Sequence, residues 1–389
     1  MTLILDALFS SVAFGHLIVD AINGTRAVLL AYLSGPLGLS NTVLGFVSTA
    51  YIVSAALIQP LFGYLADKFS SRWVVAGGIL WMGVFFSLAL FIPGNVALGF
   101  LVLASLGSGA FHPAGTMQAT LSGRNHFSGR ETTATAYFFV FGQVGLFVGP
   151  LAGGPLLDRF GPAGLLVFTA LAVPIGLNTI RQLRPGLELR VTQTIQKTKQ
   201  TARQGRRRRV APFLFAFAIM VFFQAWVQQN MITFLPKYLS DMGQSAAFYG
   251  ILSATFMGGS ALGNIVGGSL ADRFGKRRVA SAALILAGIP LFLIAEVGLS
   301  WWLFLLVPLA GGLTGSVHSI FVVLAQRHIP AGMALASGLI LGYIFTSGAL
   351  GTLLAGYLAD IWGLLPVFRM NSFLVVAAAI LALTLQKEE

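Results

Sequence analysis

Gly63-Tyr64-Leu65-Ala66-Asp67-Lys68 closes a long apolar run and opens a charged turn, and the chain writes this phrase four times. The second clear copy is Gly268-Ser269-Leu270-Ala271-Asp272-Arg273; Gly154-Pro155-Leu156-Leu157-Asp158-Arg159 and Gly356-Tyr357-Leu358-Ala359-Asp360 are weaker ones. Asp67 and Asp272 stand 205 residues apart and Asp158 and Asp360 stand 202 apart, so the chain is a half repeated. Within each half the spacing is 91 and then 88, so each half is itself two similar units. Self-similarity of this kind fixes the architecture before any single residue is interpreted.

The chain has 389 residues, of which 56% are hydrophobic and 9% charged. That balance excludes a water-soluble globular protein of this size. Mostly apolar stretches of about 18 residues or more recur along the whole length, each long enough to cross a bilayer as a helix. The fold class is therefore all-α and polytopic, and nested repeats in such a chain point to a secondary transporter. A net charge of +12 raises nucleic acid as a partner. The basic residues, however, sit in short turns and one linker, as the positive-inside rule places them, so no nucleic acid is expected. There is no cysteine, so thiol chemistry and disulfides are excluded. The N-terminus lacks a basic region followed by a small-residue cleavage site, so the first helix is expected to be retained.

Twelve helices are predicted, at 4-32, 41-66, 73-92, 97-121, 132-157, 163-182, 212-236, 246-271, 278-296, 301-325, 333-359 and 364-385. They divide the chain into an N-terminal six-helix bundle (1-184), a basic linker (185-211) and a C-terminal six-helix bundle (212-389). Of the 24 Lys and Arg residues, 20 fall in alternate turns, in the linker or at the C-terminus. This asymmetry puts both termini and the linker in the cytoplasm of a plasma (inner) membrane. The linker, with its run Arg206-Arg207-Arg208-Arg209, reads as a tether held against anionic headgroups, with a regulatory or partner-binding role as the alternative.

In the repeated phrase, Asp67 precedes Lys68 and Arg72, and Asp272 precedes Arg273 and Arg277. A carboxylate there can pair with arginines and with a neighbouring helix N-terminus, forming a conformational latch. Gly63 and Gly268 are expected to let a helix of the other half approach closely.

Polar residues inside apolar runs are costly and mark functional paths. His16, Asp20 and Asn23 share one face of the first helix. Asp20 is the foremost candidate for a proton-binding carboxylate, with His16 and His112 assisting; a structural hydrogen bond to a neighbouring helix is the competing reading. Arg26 either snorkels to headgroups or faces a cavity and attracts anions. His112 and His318 stand 206 residues apart, at repeat-related positions, and Pro113 is expected to kink the helix beside His112. Gln224, Trp226, Gln228, Gln229 and Asn230 suit hydrogen bonding and stacking with a solute, or bonds to a neighbouring helix. Gln118 and Gln143 are weaker versions. Gly145, Gly149, Pro150, Gly153 and Gly154 form a small-residue stripe for close helix packing.

The Gly63-to-Lys68 phrase and its copies resemble the loop motif of the major facilitator superfamily, and the resemblance covers essentially the whole chain. It implies a substrate cavity lined by helices 1, 4, 7 and 10, hence by His112 and His318, and alternating access by rocking of the halves. The stripe from Gly145 to Gly154 resembles the G-x-x-x-G-P-x-x-G-G element of drug:proton antiporters. Gly15-His16-Leu17-Ile18-Val19-Asp20 and Gly107-Ser108-Gly109-Ala110-Phe111-His112-Pro113 resemble the fosmidomycin-resistance branch. In that branch the Phe-His-Pro triplet is usually followed by glutamate; here it is Ala114. Proton coupling then falls to Asp20 or the histidines, or is absent.

The expected function is proton-coupled efflux of small drug-like or phosphonate-type compounds, with Asn23, Arg26, His112, His318 and the helix 7 amides meeting substrate. The alternative is uptake of a small metabolite such as an organic anion. The expected partners are the lipid bilayer, protons and a small-molecule substrate. A monomer is expected, without cofactor or metal. No nucleotide-binding, hydrolase-elbow or zinc-protease motif occurs, so an enzyme is not expected.

Overall fold

The computed structural model describes residues 5–68, 70–126, 131–183, 210–328 and 333–383. Among them lie thirteen α-helices and no strand: α1 (Ala7–Ser34), α2 (Asn41–Lys68), α3 (Ser71–Phe91), α4 (Val96–His126), α5 (Glu131–Phe160), α6 (Leu166–Gln182), α7 (Val210–Asp241), α8 (Ala246–Phe274), α9 (Lys276–Glu296), α10 (Leu303–Gly315), α11 (His318–His328), α12 (Met333–Trp362) and α13 (Leu364–Leu383). A membrane admits this because a helix satisfies its own backbone groups where no water can.

Among the described residues, eleven apolar segments are long enough to span a bilayer. One of them, Ala134–Gln182, runs for 49 residues and holds both α5 and α6, joined by a 3₁₀ turn at Gly161–Leu165. Gly161 reverses the chain there with φ at 61°, a conformation costly for any residue with a Cβ. Counting α5 and α6 separately gives the twelve expected crossings. The tenth crossing is one segment, Leu303–Ala325, broken into α10 and α11 at Ser316 and Val317, immediately before His318. The expectation of one continuous helix at 301-325 is corrected in this respect. Pro113 and Pro150 both sit inside long helices.

The chain forms two compact units. Of the described residues, the first comprises those within 5–33, 50–183 and 245–250, and the second those within 34–49, 210–244 and 251–383. Two short segments, at the starts of α2 and α8, thus group with the opposite half of the sequence. In the first unit, Asp158 at the end of α5 accepts hydrogen bonds from the backbone N–H groups of Ala246 and Ala247 (both 2.7 Å). In the second, Asp360 at the end of α12 accepts from those of Asn41 and Thr42 (2.7 and 2.8 Å). A carboxylate at a helix N-terminus satisfies orphan donors and meets the positive end of the helix dipole. The two weaker copies of the repeated phrase are therefore helix caps.

Close backbone approach holds each unit together, as expected where lipid supplies no hydrophobic force between helices. In the second unit, Gly259, Gly263 and Gly267 of α8 lie against Pro308, Gly312 and Ser316. Both rows step by four, so the helices cross along small-residue ridges. Gly63 faces Pro113 of α4 and Gly268 faces Ser319 of α11, each within its own unit. The side chain of Asp67, and the linker up to Arg209, lie outside the described residues.

Candidate functional site

The first unit concentrates its buried charge around α1. Asp20 is 7% exposed, His16 2% and Arg26 4%. The i, i+4 spacing brings His16 Nε2 to 3.2 Å from Asp20 Oδ2, and α4 delivers His112 Nε2 to 3.4 Å from Asp20 Oδ1. The two imidazoles lie edge to face, 5.0 Å apart.

Hydrogen-bond partners fix the tautomers. His16 Nδ1 donates to the carbonyl of Phe138 (2.7 Å) and His112 Nδ1 to that of Ser108 (2.8 Å). A carbonyl only accepts, so both Nδ1 atoms carry hydrogen and both Nε2 atoms face the carboxylate. Each Nε2 is thus placed where a proton can lie between it and a carboxylate oxygen. The ligand atoms of the three groups all lie within 4.8 Å of one another, close enough for one cation to meet all three.

The network continues outward. Asn23 Nδ2 donates to Asp20 Oδ1 (2.8 Å) and to Ser108 Oγ (3.0 Å), and its amide oxygen accepts from the Tyr51 hydroxyl (2.6 Å). Above the Tyr51 ring lies the Arg26 guanidinium, its carbon 4.8 Å from the centroid. Arg26 Nε has no hydrogen-bond partner, and no carboxylate pairs with the guanidinium among the described residues. Being buried, Arg26 does not snorkel.

α5 approaches α1 through glycines. Gly145 lies against Leu17, Gly149 against Ala21 and Gly153 against Thr25, so the small-residue stripe packs on the helix that carries Asp20. Gly142, one turn earlier, faces the site itself: a Cβ there would come within 2.7 Å of Asp20 Oδ2 and 2.5 Å of the His16 ring. Gly154 lies against Ala246.

In the second unit, the expected α7 residues meet mainly protein. Gln224 Nε2 donates to the Thr314 carbonyl (2.8 Å), Asn230 to Asn371 (3.0 Å) and Gln228 to Ser260 (2.9 Å). These are the helix-tying bonds that neutral amides make in lipid. Trp226 lies against Gly351 of α12, with its Nε1 unpartnered. Gln229 and His318 are half-buried. The residue 206 positions after Asp20 is Trp226, so the second half repeats the histidine of α4 as His318 without repeating the acid. Around the turn after α8, Arg273 lies over the Phe274 ring (5.3 Å); after α2, Lys68 lies over Tyr64 (5.5 Å) and Arg72 over Trp73 (4.9 Å).

Sequence reasoning found His16, Asp20, Asn23, Arg26 and His112 but missed Tyr51, Ser108, Phe138 and Gly142. Ser108 stood one turn before His112, a spacing that could have suggested it. Tyr51 gave no signal.

A duplicated helical membrane protein whose one unit buries a carboxylate between two histidines is built as a secondary transporter. Residues 12–247 and 217–389 match the Major Facilitator Superfamily model, and the chain belongs to that superfamily of transporters. It is a multi-pass membrane protein, and its relatives are carriers rather than enzymes. It is 24% identical over 375 residues to the fosmidomycin resistance protein of Escherichia coli (strain K12), covering 94% of this chain and 90% of that one. It is 23% identical to the gentisate transporter of Corynebacterium glutamicum, covering 83% and 73%. Among solved structures, the nucleoside transporter NupG superposes with a TM-score of 0.74 at 18% identity, over 96% of this chain and 97% of that one.

Proposed function

We propose that the protein is a proton-coupled exporter of small drug-like or phosphonate-type compounds in a plasma membrane, with both termini cytoplasmic and the chain acting as a monomer. One observation carries this reading: a buried carboxylate flanked by two imidazoles whose Nε2 atoms both face it. Such a group gains and loses protons without moving its backbone. In export, a donor group of the substrate takes the place of a proton at Asp20, so proton and substrate exclude one another, and alternating access converts that exclusion into exchange. His16 and His112 hold the protons in transit, while Gln228, Gln229 and His318 offer the second unit's polar contacts. The basic turns after α2 and α8, with Asp67 and Asp272, act as conformational latches.

In everted vesicles carrying Asp20→Asn, proton-driven uptake of fosmidomycin is expected to fall to background while the protein remains folded. Unchanged uptake would remove Asp20 from coupling.

A second reading, uptake of an organic anion, is favoured by one feature, the buried guanidinium of Arg26, whose Nε has no hydrogen-bond partner and which meets no carboxylate among the described residues. The similarity to the gentisate transporter agrees with it. Drug susceptibility of expressing cells separates the two, since an exporter protects and an importer does not.

A further inference from the structure

Arg26 and Asp20 lie six residues apart on α1, with no direct contact between their side chains among the bonds described. They are joined instead through α2. Arg26 stacks on the Tyr51 ring, the Tyr51 hydroxyl donates to Asn23, and the Asn23 amide donates to Asp20. Every bond in this chain has a fixed direction. The Asn23 nitrogen is committed to a carboxylate, so its oxygen must face Tyr51, and an amide oxygen accepts only. The hydroxyl is therefore locked as donor. Tyr51 is 4% exposed, so its ring cannot turn away without opening the packing around it.

We infer that Tyr51 is the residue through which the anion-facing end of the site, at Arg26, and the proton-holding end, at Asp20, sense one another. This rests on the proposed proton coupling and on the anion-attracting role of Arg26 in the second reading, and deepens both. An anion at the guanidinium draws Arg26 along the Tyr51 ring; the ring carries its hydroxyl, the hydroxyl sets the Asn23 amide, and the amide sets how many donors Asp20 Oδ1 retains besides His112. Proton occupancy acts back on Arg26 along the same path, as linkage requires. Tyr51 is a positioning residue here: its ring serves the guanidinium and its hydroxyl serves the carboxylate.

The titratable groups facing Asp20 are His16 from α1 and His112 from α4; Tyr51 of α2 reaches it through Asn23, Arg26 lies over the Tyr51 ring, and α5 presents Gly142 and Gly145. Tyr51→Phe removes the link and leaves every one of the others. It also keeps the ring beneath Arg26.

The test uses the purified full chain, with fosmidomycin, gentisate and inorganic phosphate as probes, and measures probe affinity on both sides of neutral pH together with the protons released or taken up on binding. In the native chain, affinity changes with pH. In Tyr51→Phe, which leaves Asn23 Oδ1 without its donor, the thermal midpoint and the affinity at the favourable pH fall modestly, while the ratio of affinities across pH shrinks by about fivefold or more, a typical loss of coupling between sites. The electrostatic field between the two sites survives, so the dependence is reduced rather than erased. Tyr51→Leu, which removes the ring as well, lowers affinity at every pH. A native-like pH ratio in a folded Tyr51→Phe protein overturns the inference and leaves proton coupling standing. A native chain whose affinity ignores pH overturns proton coupling and this inference with it. Failure of all three probes to bind overturns the anion-facing role of Arg26 on which the relay depends.

Discussion

A glycine decides how tightly the cluster of Asp20 with His16 is closed. Gly142 carries no chemistry, yet the space its missing Cβ leaves is filled by the His16 ring and the Asp20 carboxylate. Gly142→Ala is expected to push the imidazole off the Phe138 carbonyl, costing about 1–3 kcal/mol as overpacking does. A lowered thermal midpoint and a weaker pH dependence of probe binding, the latter following from the proposed coupling, are the readouts. Gly77→Ala on α3, where an added Cβ meets nothing within 4 Å, is the control and should be silent in both. The residues of this site were partly legible: His16, Asp20 and Asn23 share a helix face by spacing alone, and a charged group in an apolar run announces itself. Gly142 and Tyr51 were not legible, because a gap and a stacking partner exist only once another helix arrives.

At the scale of the element, helix ends carry the information that the middles lack. The start of α2 is capped by Asp360 and that of α8 by Asp158, and in each case a serine assists: Ser40 Oγ accepts from Val43 N–H (3.2 Å) and Ser245 Oγ from Phe248 N–H (3.3 Å). Asp158→Asn and Asp360→Asn each replace an acceptor oxygen with a donor facing an N–H. Each should lower stability by about 1 kcal/mol, the usual worth of a cap, with nearly additive effects because the two caps belong to different units. Thermal unfolding in detergent measures both the single losses and their sum. These aspartates were visible in the sequence as copies of a repeated phrase. Their partners were not, since Asn41 and Ala246 lie far away along the chain and backbone N–H groups have no sequence signature. The break between α10 and α11 was equally hidden, because an apolar run reads the same whether its helix is continuous or interrupted.

For the whole molecule, the sign of coupling separates the two functional readings. If proton and substrate compete for Asp20, deprotonation frees the site, so affinity for an exported probe rises with pH. If an anion is attracted by Arg26 and by a protonated triad, loss of protons adds negative charge beside it, and affinity falls as pH rises. Measuring fosmidomycin and gentisate affinity across neutral pH decides between these outcomes. Arg26→Gln should abolish the second pattern and spare the first.

The sequence by itself determined the membrane-spanning class, the duplicated halves and the face of α1 that carries ionisable groups. Hydropathy, repeat spacing and helical period are local properties that survive without neighbours. Only the tertiary structure decided which groups complete the site, because a carboxylate held by α4, a tyrosine offered by α2 and a clearance left by α5 are relations between helices. The same contacts made the two halves unequal: the acid that His112 meets has no counterpart before His318, where the chain places a tryptophan against Gly351.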